Sequence, residues 1–270
     1  MSHSVENPLK IAGKIAVPGA GILSADPPLE SALLVHMMNA VHSALMKILL
    51  LLGGTNDPSN AECLADRFTE GMKKEVPGLT VEKIRLREVP IDHFSLKHYD
   101  PTTDQGEVMR KIEAVTKEAA GIVIATPIWN FSVPAHLKNV IDRMGSFALD
   151  AETRTKGQIK GKPCYFLFTG GAPVPAWKGL MRFTTMHVPE AFRYFGGSII
   201  GRYFEGKCMR GRGKFGCVID KRPDSLMKVE ARGRKFARIA SRFHANGEIP
   251  LSCRIITRLY LWGQRIIAKF

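Results

Sequence analysis

The sequence predicts an α/β fold: a doubly wound parallel sheet of five strands in the order 2-1-3-4-5, with an extension at each end. Short uninterrupted apolar runs (KILLLL, GIVIAT, PCYFLF) recur along the chain, as strands buried on both faces of a sheet require. Segments with helical spacing separate them, and strands alternating with helices mean parallel strands joined by crossovers. The first and last of these runs lead into glycine pairs and the middle one into a proline-bounded loop, which marks the strand ends as loops.

Residues 1–45 read as an amino-terminal extension, partly disordered, with Met46 placed like a chain start. Within it, Asp26 as cap and Pro27 at the first helical position predict a short helix to about Leu45. Lys47–Leu52 is the first strand. Beyond the loop TNDPSN, Leu64, Phe68 and Met72 recur every four residues in a helix that Ser59 or Asn60 caps and Pro77-Gly78 ends. Thr80–Leu86 alternates as a more exposed strand. Residues 87–104 form a long polar connection, and Asp104 with Glu107 resembles a capping pair opening a helix to about Ala120. Gly121–Thr126 is the third strand, Pro134–Met144 a helix, and Pro163–Phe168 the fourth strand. Gly197–Phe204 contains the fifth, and Asp224 opens a long helix to about Phe243, closed near Asn246-Gly247. This cadence is flavodoxin-like, and it sets a domain over residues 46–245, followed by a carboxyl-terminal segment, 246–270.

Composition narrows the function classes. Hydrophobic residues make up 45% and charged residues 24% of the 270, which excludes a mainly disordered, collagenous or coiled-coil chain. Five cysteines without a CxxC pair exclude a zinc ribbon or an evident disulfide framework and fit a reducing compartment. Glu6 and Pro18 argue against a secretory signal, and the charged or polar residues between Leu29 and Leu52 argue against a membrane span. The chain is therefore expected in the cytoplasm. The net charge is +14, and residues 201–270 hold 17 Lys/Arg against 5 Asp/Glu. Such an end suits an acidic partner or is simply a solvated basic face.

In a sheet of this order, ligands bind at the carboxyl ends of the strands beside the switch point. Three loops lie at such ends. Gly53–Asn60 joins a strand to a helix start, whose free N–H groups and positive dipole end attract a phosphate, and Thr55, Asn56, Ser59 and Asn60 add short polar groups. A Walker lysine is missing, so a phosphomonoester fits better than a triphosphate. Pro127, Ile128, Trp129, Asn130 and Phe131 form a proline-bounded loop that offers backbone amides and aromatic planes to a ring. Thr169, Gly170 and Gly171 let the backbone approach a flat ligand, with donors for negative charge on a reduced ring. A phosphate at one end and a flat ring at the other describe FMN. Each loop taken singly also reads as a capped turn, a core contact or a tight turn.

The segment TPIWNFSVPAHLKNVIDRM (126–144) resembles a loop signature of the NAD(P)H-dependent FMN reductases, quinone reductases and azoreductases. The matching residues are Pro127, Trp129, Asn130, Pro134, Leu137, Lys138, Ile141 and Asp142. GGTNDPSN resembles the family's phosphate loop, with Thr55 for the usual serine and Ser59 at the next hydroxyl position, although Asn56-Asp57 lies where an arginine is frequent. FTGG resembles its third flavin loop, and PEAFRYFGGSIIG (189–201) its last helix and strand; together the likeness covers about 46–245. The resemblance implies bound FMN, NADH or NADPH as co-substrate, and a quinone, azo dye, metal ion or free flavin as acceptor. It implies a homodimer with the site at the subunit interface, and no catalytic acid, base or nucleophile, since the cofactor carries the chemistry. An electron carrier that binds FMN without using NAD(P)H is the alternative, but such carriers are usually acidic.

Other candidates are weaker. His93 and His98, with Asp92 and Asp100, read as solvated loop residues rather than a metal site, and Cys63 as a packing residue. On a helical wheel Arg254, Arg258, Arg265 and Lys269 fall within about 60°. Ile255, Ile256, Leu259, Trp262, Ile266, Ile267 and Phe270 lie opposite. That pattern fits a peripheral membrane anchor, or a helix whose apolar stripe packs on the domain or on a second subunit. No nucleic-acid partner is expected, because the basic residues follow no recognition motif.

Overall fold

A computed structural model describes residues 46–209, 216–267 and 269; the helix expected between Asp26 and Leu45 lies outside them. Five strands, β1 (Lys47–Leu52), β2 (Thr80–Arg85), β3 (Gly121–Pro127), β4 (Pro163–Thr169) and β5 (Ser198–Glu205), form one all-parallel sheet in the order β2-β1-β3-β4-β5. The three inner strands are almost wholly buried and carry the uninterrupted apolar runs, whereas the edge strands β2 and β5 are partly exposed.

The period of two along each strand sends alternate side chains to two cores. Leu49, Leu51, Ile122, Ile124, Phe166 and Phe168 face helices α2 (Glu107–Glu118) and α3 (Ala135–Ala148), the short α4 (Val174–Lys178) and α5 (His187–Tyr194). Ile48, Leu50, Leu52, Val123, Tyr165 and Leu167 face α1 (Asn60–Glu75) and α6 (Pro223–Asn246). Helices α1 and α6 cross in close contact. A Cβ on Gly71 would lie 2.1 Å from the Glu230 carbonyl oxygen, and one on Gly233 would lie 2.1 Å from that of Phe68. Gly247, with φ 72°, ends α6 in the left-handed conformation that favours glycine.

Several expectations are corrected. Asp104 is not a helix cap: Gly106 takes that place, while the Asp104 carboxylate accepts from the Gly106 N–H at 2.9 Å and from Arg110. The long polar connection 87–104 is tied to α3. Asn139 and Arg143, both buried on α3, donate to the Asp92 carbonyl at 3.0 and 3.2 Å, and Arg143 reaches the Gln105 carbonyl at 2.6 Å. His98 is buried rather than solvated, with Nδ1 3.0 Å from both backbone polar atoms of Ser95.

The last helix, α7 (Leu251–Ile267), turns its polar side inward. Thr257 Oγ1 lies 3.0 Å from Ser198 Oγ, and Gln264 Nε2 donates to the Tyr194 carbonyl at 2.8 Å. Of its apolar stripe, expected to meet a membrane or to pack on the domain or on a second subunit, Ile255, Ile256, Leu259, Trp262 and Ile266 are exposed, while the Ile267 side chain and Phe270 lie outside the described residues.

Candidate functional site

The site grows from the carboxyl end of β1. The Gly53 N–H continues the ladder to the Ala125 carbonyl at 2.8 Å, and a Cβ on Gly54 would stand 2.6 Å from Ser59 Oγ, so the chain turns tightly into α1. Ser59 caps that helix, accepting from the Glu62 N–H at 3.4 Å. Asn60, expected to face a phosphate with its side chain, uses its carboxamide elsewhere. Nδ2 donates to the Gly216 carbonyl at 2.8 Å, and Oδ1 accepts from the N–H groups of Val218 and Ile219 at 2.8 and 3.3 Å. Asn60 thus fastens the segment after β5 to the loop. Asp57 is exposed and paired with Arg87 Nη2 at 3.2 Å, and Arg87 also donates to the Asn56 carbonyl. The guanidinium absent from the loop sequence therefore arrives from the residues following β2.

The second loop closes on itself. Trp129 and Ser132 exchange backbone hydrogen bonds at 2.7 and 2.8 Å around Asn130 (φ 48°) and Phe131 (φ 62°), a two-residue turn with both central residues left-handed. His136, half-buried in the first turn of α3, has Nε2 3.1 Å from the Gly53 carbonyl and so ties the first two loops together. Burial holds its pKa below the usual value, and the neutral tautomer with its proton on Nε2 makes this bond.

The third loop is joined to both neighbours. The Ile128 N–H donates to the Thr169 carbonyl at 2.7 Å, the Gly170 N–H to the Glu205 carbonyl at 3.0 Å, and the Cys208 N–H to the Gly170 carbonyl at 2.9 Å. The Gly170 N–H, expected as a donor to a reduced ring, is thus engaged by the sheet. The missing side chains matter: a Cβ on Gly170 would lie 3.0 Å from the Phe204 ring, and one on Gly171 would lie 2.8 Å from Met209 Sδ.

The three loops wall one cavity of about 290 Å³. Thr55, Asn56, Ser59 and Asn60 stand at the helix start, Pro127, Ile128, Trp129 and Asn130 on the second loop, and Thr169, Gly170 and Gly171 on the third. Phe131 does not line it. Its ring, 65% exposed, borders an adjoining cavity of about 250 Å³ with Ile128, Trp177, Met181 and Phe204. Ala61, Cys208 and Met209 also line the first cavity, and burial pushes the Cys208 thiol up to about 11. The last two follow β5, a strand end where this fold places ligand loops, but their segment reads in sequence only as flexible and basic. The donor chemistry fits FMN: hydroxyls and helix-start N–H groups at one end, a slot walled by glycine backbone and Ile128 at the other.

Residues 46–189 match the family described as NADPH-dependent FMN reductase. The chain belongs to that family. Over 142 residues the reductase is 29% identical to an FMN-dependent NADH:quinone oxidoreductase of Bordetella parapertussis, which covers 47% of this chain and 68% of the relative. Its fold is similar to that of an NAD(P)H:quinone oxidoreductase from Methanothermobacter marburgensis, with a TM-score of 0.55 and 19% identity over 70% of this chain and 95% of that one. It is also similar to that of an FMN-dependent NADH-azoreductase from Bacillus anthracis in complex with FMN, with a TM-score of 0.54 and 17% identity over 71% and 99%. The reductase is an oxidoreductase that works with FMN and a reduced nicotinamide nucleotide. Among the described residues, no helix is long and apolar enough to cross a membrane and no cluster of His, Cys, Asp or Glu is arranged to hold a metal.

Proposed function

We propose that the reductase passes electrons from NADH or NADPH through FMN to a quinone or azo acceptor, with the cofactor held by the three converging loops. The continuity of the polar, helix-capped cavity with the apolar one supports this reading. Bound FMN would supply the redox chemistry between nucleotide and acceptor. The protein's own part is binding and orientation. Thr55, Ser59 and the first N–H groups of α1 hold the phosphate, and Arg87 keeps Asp57 from repelling it. The Asn56 and Asn60 backbones complete that end. Pro127, Ile128, Trp129 and Asn130 border the ring, and Thr169, Gly170 and Gly171 set a backbone wall against it. Phe131 stands at the apolar mouth, where acceptor and nucleotide enter.

Phe131, Leu180 and Phe183 are exposed, and the adjoining cavity opens beside Phe131. A homodimer that covers this surface would exclude water from the ring. The same reading places the enzyme in the cytoplasm, touching the inner face of a membrane through residues 254–270. Anaerobic titration of the purified yellow protein with NADPH and NADH, followed by steady-state turnover with a soluble quinone and an azo dye, tests the activity. Bleaching by a nucleotide and recovery on adding an acceptor are expected. A protein that holds FMN but oxidises neither nucleotide is instead an electron carrier.

A further inference from the structure

Helix α7 is folded onto the domain in reverse of the usual amphipathic arrangement. Its inward side buries two polar residues, Thr257 and Gln264, 8% and 5% exposed and hydrogen-bonded to the domain, with Tyr260 and Leu261 half-buried beside them. Its outward side carries Leu251, Ile255, Ile256, Leu259, Trp262 and Ile266, each between 38% and 68% exposed. Six large apolar side chains on one strip exceed the scattered surface hydrophobes of an ordinary monomer. The helix is held in this orientation by its bonds to β5 and α5, so the strip is present before any partner arrives.

Charge says what covers the strip. Residues 249–270 contain Arg254, Arg258, Arg265 and Lys269 and no acidic residue. At about 100° per residue the three arginines fall beside Trp262 along one edge of the strip, not opposite it as the sequence pattern suggests. Arg254 and Arg258 also wall, with Lys160, a cavity of about 400 Å³ between the end of α6 and α7, whose one acidic neighbour is Glu248. A second copy seated strip to strip would set arginines against arginines, with no carboxylate on either helix to answer them. An anionic bilayer offers hydrocarbon to the strip and phosphate to its edge. At 17 residues, with its inner side fixed to the domain, the helix lies along a surface rather than across it.

Resting on the peripheral-membrane reading above, we infer that α7 is a preformed in-plane anchor selective for anionic phospholipid. The apolar strip enters the acyl boundary, and Arg254, Arg258 and Arg265 bind lipid phosphates along one edge.

Sedimentation of the full-length FMN-loaded protein with phosphatidylcholine vesicles, with and without phosphatidylglycerol, tests this. Binding to the mixed vesicles, little binding to the neutral ones, and release by salt are expected. Each basic residue near such a surface contributes roughly fivefold in binding constant, so the triple variant Arg254→Gln, Arg258→Gln, Arg265→Gln is expected to bind on the order of a hundredfold more weakly. Leu259→Glu with Trp262→Glu should abolish binding while NAD(P)H oxidation is unchanged. Should that variant lose its flavin absorbance, the arginine variant and the salt series carry the test. Equal binding to both vesicle types overturns the anionic selectivity and leaves the membrane reading standing. Failure to bind either type overturns both, and a dimer that Leu259→Glu converts to monomer then assigns the strip to a second copy.

Discussion

Ser59 caps α1 through its Oγ and lines the same cavity as Thr55, so substitution separates a structural from a binding role. Ser59→Ala removes a helix cap and costs about 1 kcal/mol of stability. Among the described residues Thr55 Oγ1 hydrogen-bonds to the neighbouring Asn56 side chain, at 3.2 Å, and Thr55→Ala should leave the melting temperature unchanged. Both should weaken FMN binding by about tenfold or more, the value of one hydrogen bond to a charged group. Fluorescence titration of the apoprotein measures this, and unchanged FMN affinity in both variants removes the phosphate from this end. Phe131, left-handed at φ 62°, makes a second case. Relief of about 1–2 kcal/mol on Phe131→Gly is offset by about 1 kcal/mol of added unfolded-chain freedom. The melting temperature should therefore hold while KM for the acceptor rises; a large fall in melting temperature would mean that the ring is a packing residue. At this scale the sequence shows the short polar and glycine residues at strand ends, because those features are local. The roles of Asn60 and Arg87 are hidden. Asn60 bonds to residues 156 to 159 positions away and Arg87 acts 31 positions back, so neither spacing exists before the chain folds.

Between elements, the crossing of α1 and α6 depends on two missing side chains. Gly233→Ala forces a methyl group against the Phe68 carbonyl and should destabilise by about 1–3 kcal/mol, a visible drop in melting temperature. An unchanged melting temperature would show that the helices can separate freely. The same contact holds Glu230, bonded to Arg234 at 2.6 Å and Lys74 at 2.8 Å, with Arg67 at 2.7 Å. Those bonds, the one from Arg234 foremost, pull its carboxyl from the usual 4.5 to about 2. A carboxyl lowered in the fold stabilises fully above its unfolded value, and that contribution disappears as pH falls through the folded one. Glu230→Gln should therefore melt below the native protein at neutral pH, and the gap should narrow on approaching pH ~2. A constant gap would mean that the charge does not matter. The strands were legible because burial on both faces forces continuous apolar runs. Asp104 misled as a cap because a carboxylate bonds equally well to a turn N–H two residues on, and α4 escaped notice because five residues show no helical period.

Over the whole molecule the surface divides by chemistry. The carboxyl ends of the strands carry the cavity, α7 carries the basic-edged strip, and Phe131, Leu180 and Phe183 give an apolar rim near the site. Leu180 is 83% exposed and Phe183 59%, in a turn that leads from α4 to α5 beside the wall residues Trp177 and Met181. If a second copy covers this rim, the chain should sediment as a dimer at micromolar concentration. Leu180→Asp with Phe183→Asp should then yield a monomer, because each isologous contact loses apolar area twice and gains like charges across the axis. If the loop Gly53–Asn60 holds the phosphate, away from this rim, the monomer should keep its FMN. Acceptor KM should rise and the flavin should become more open to solvent, as its fluorescence reports. A native chain that sediments as a monomer while turning over quinone at full rate leaves the apolar rim to the substrates themselves, and the site is then complete within one chain.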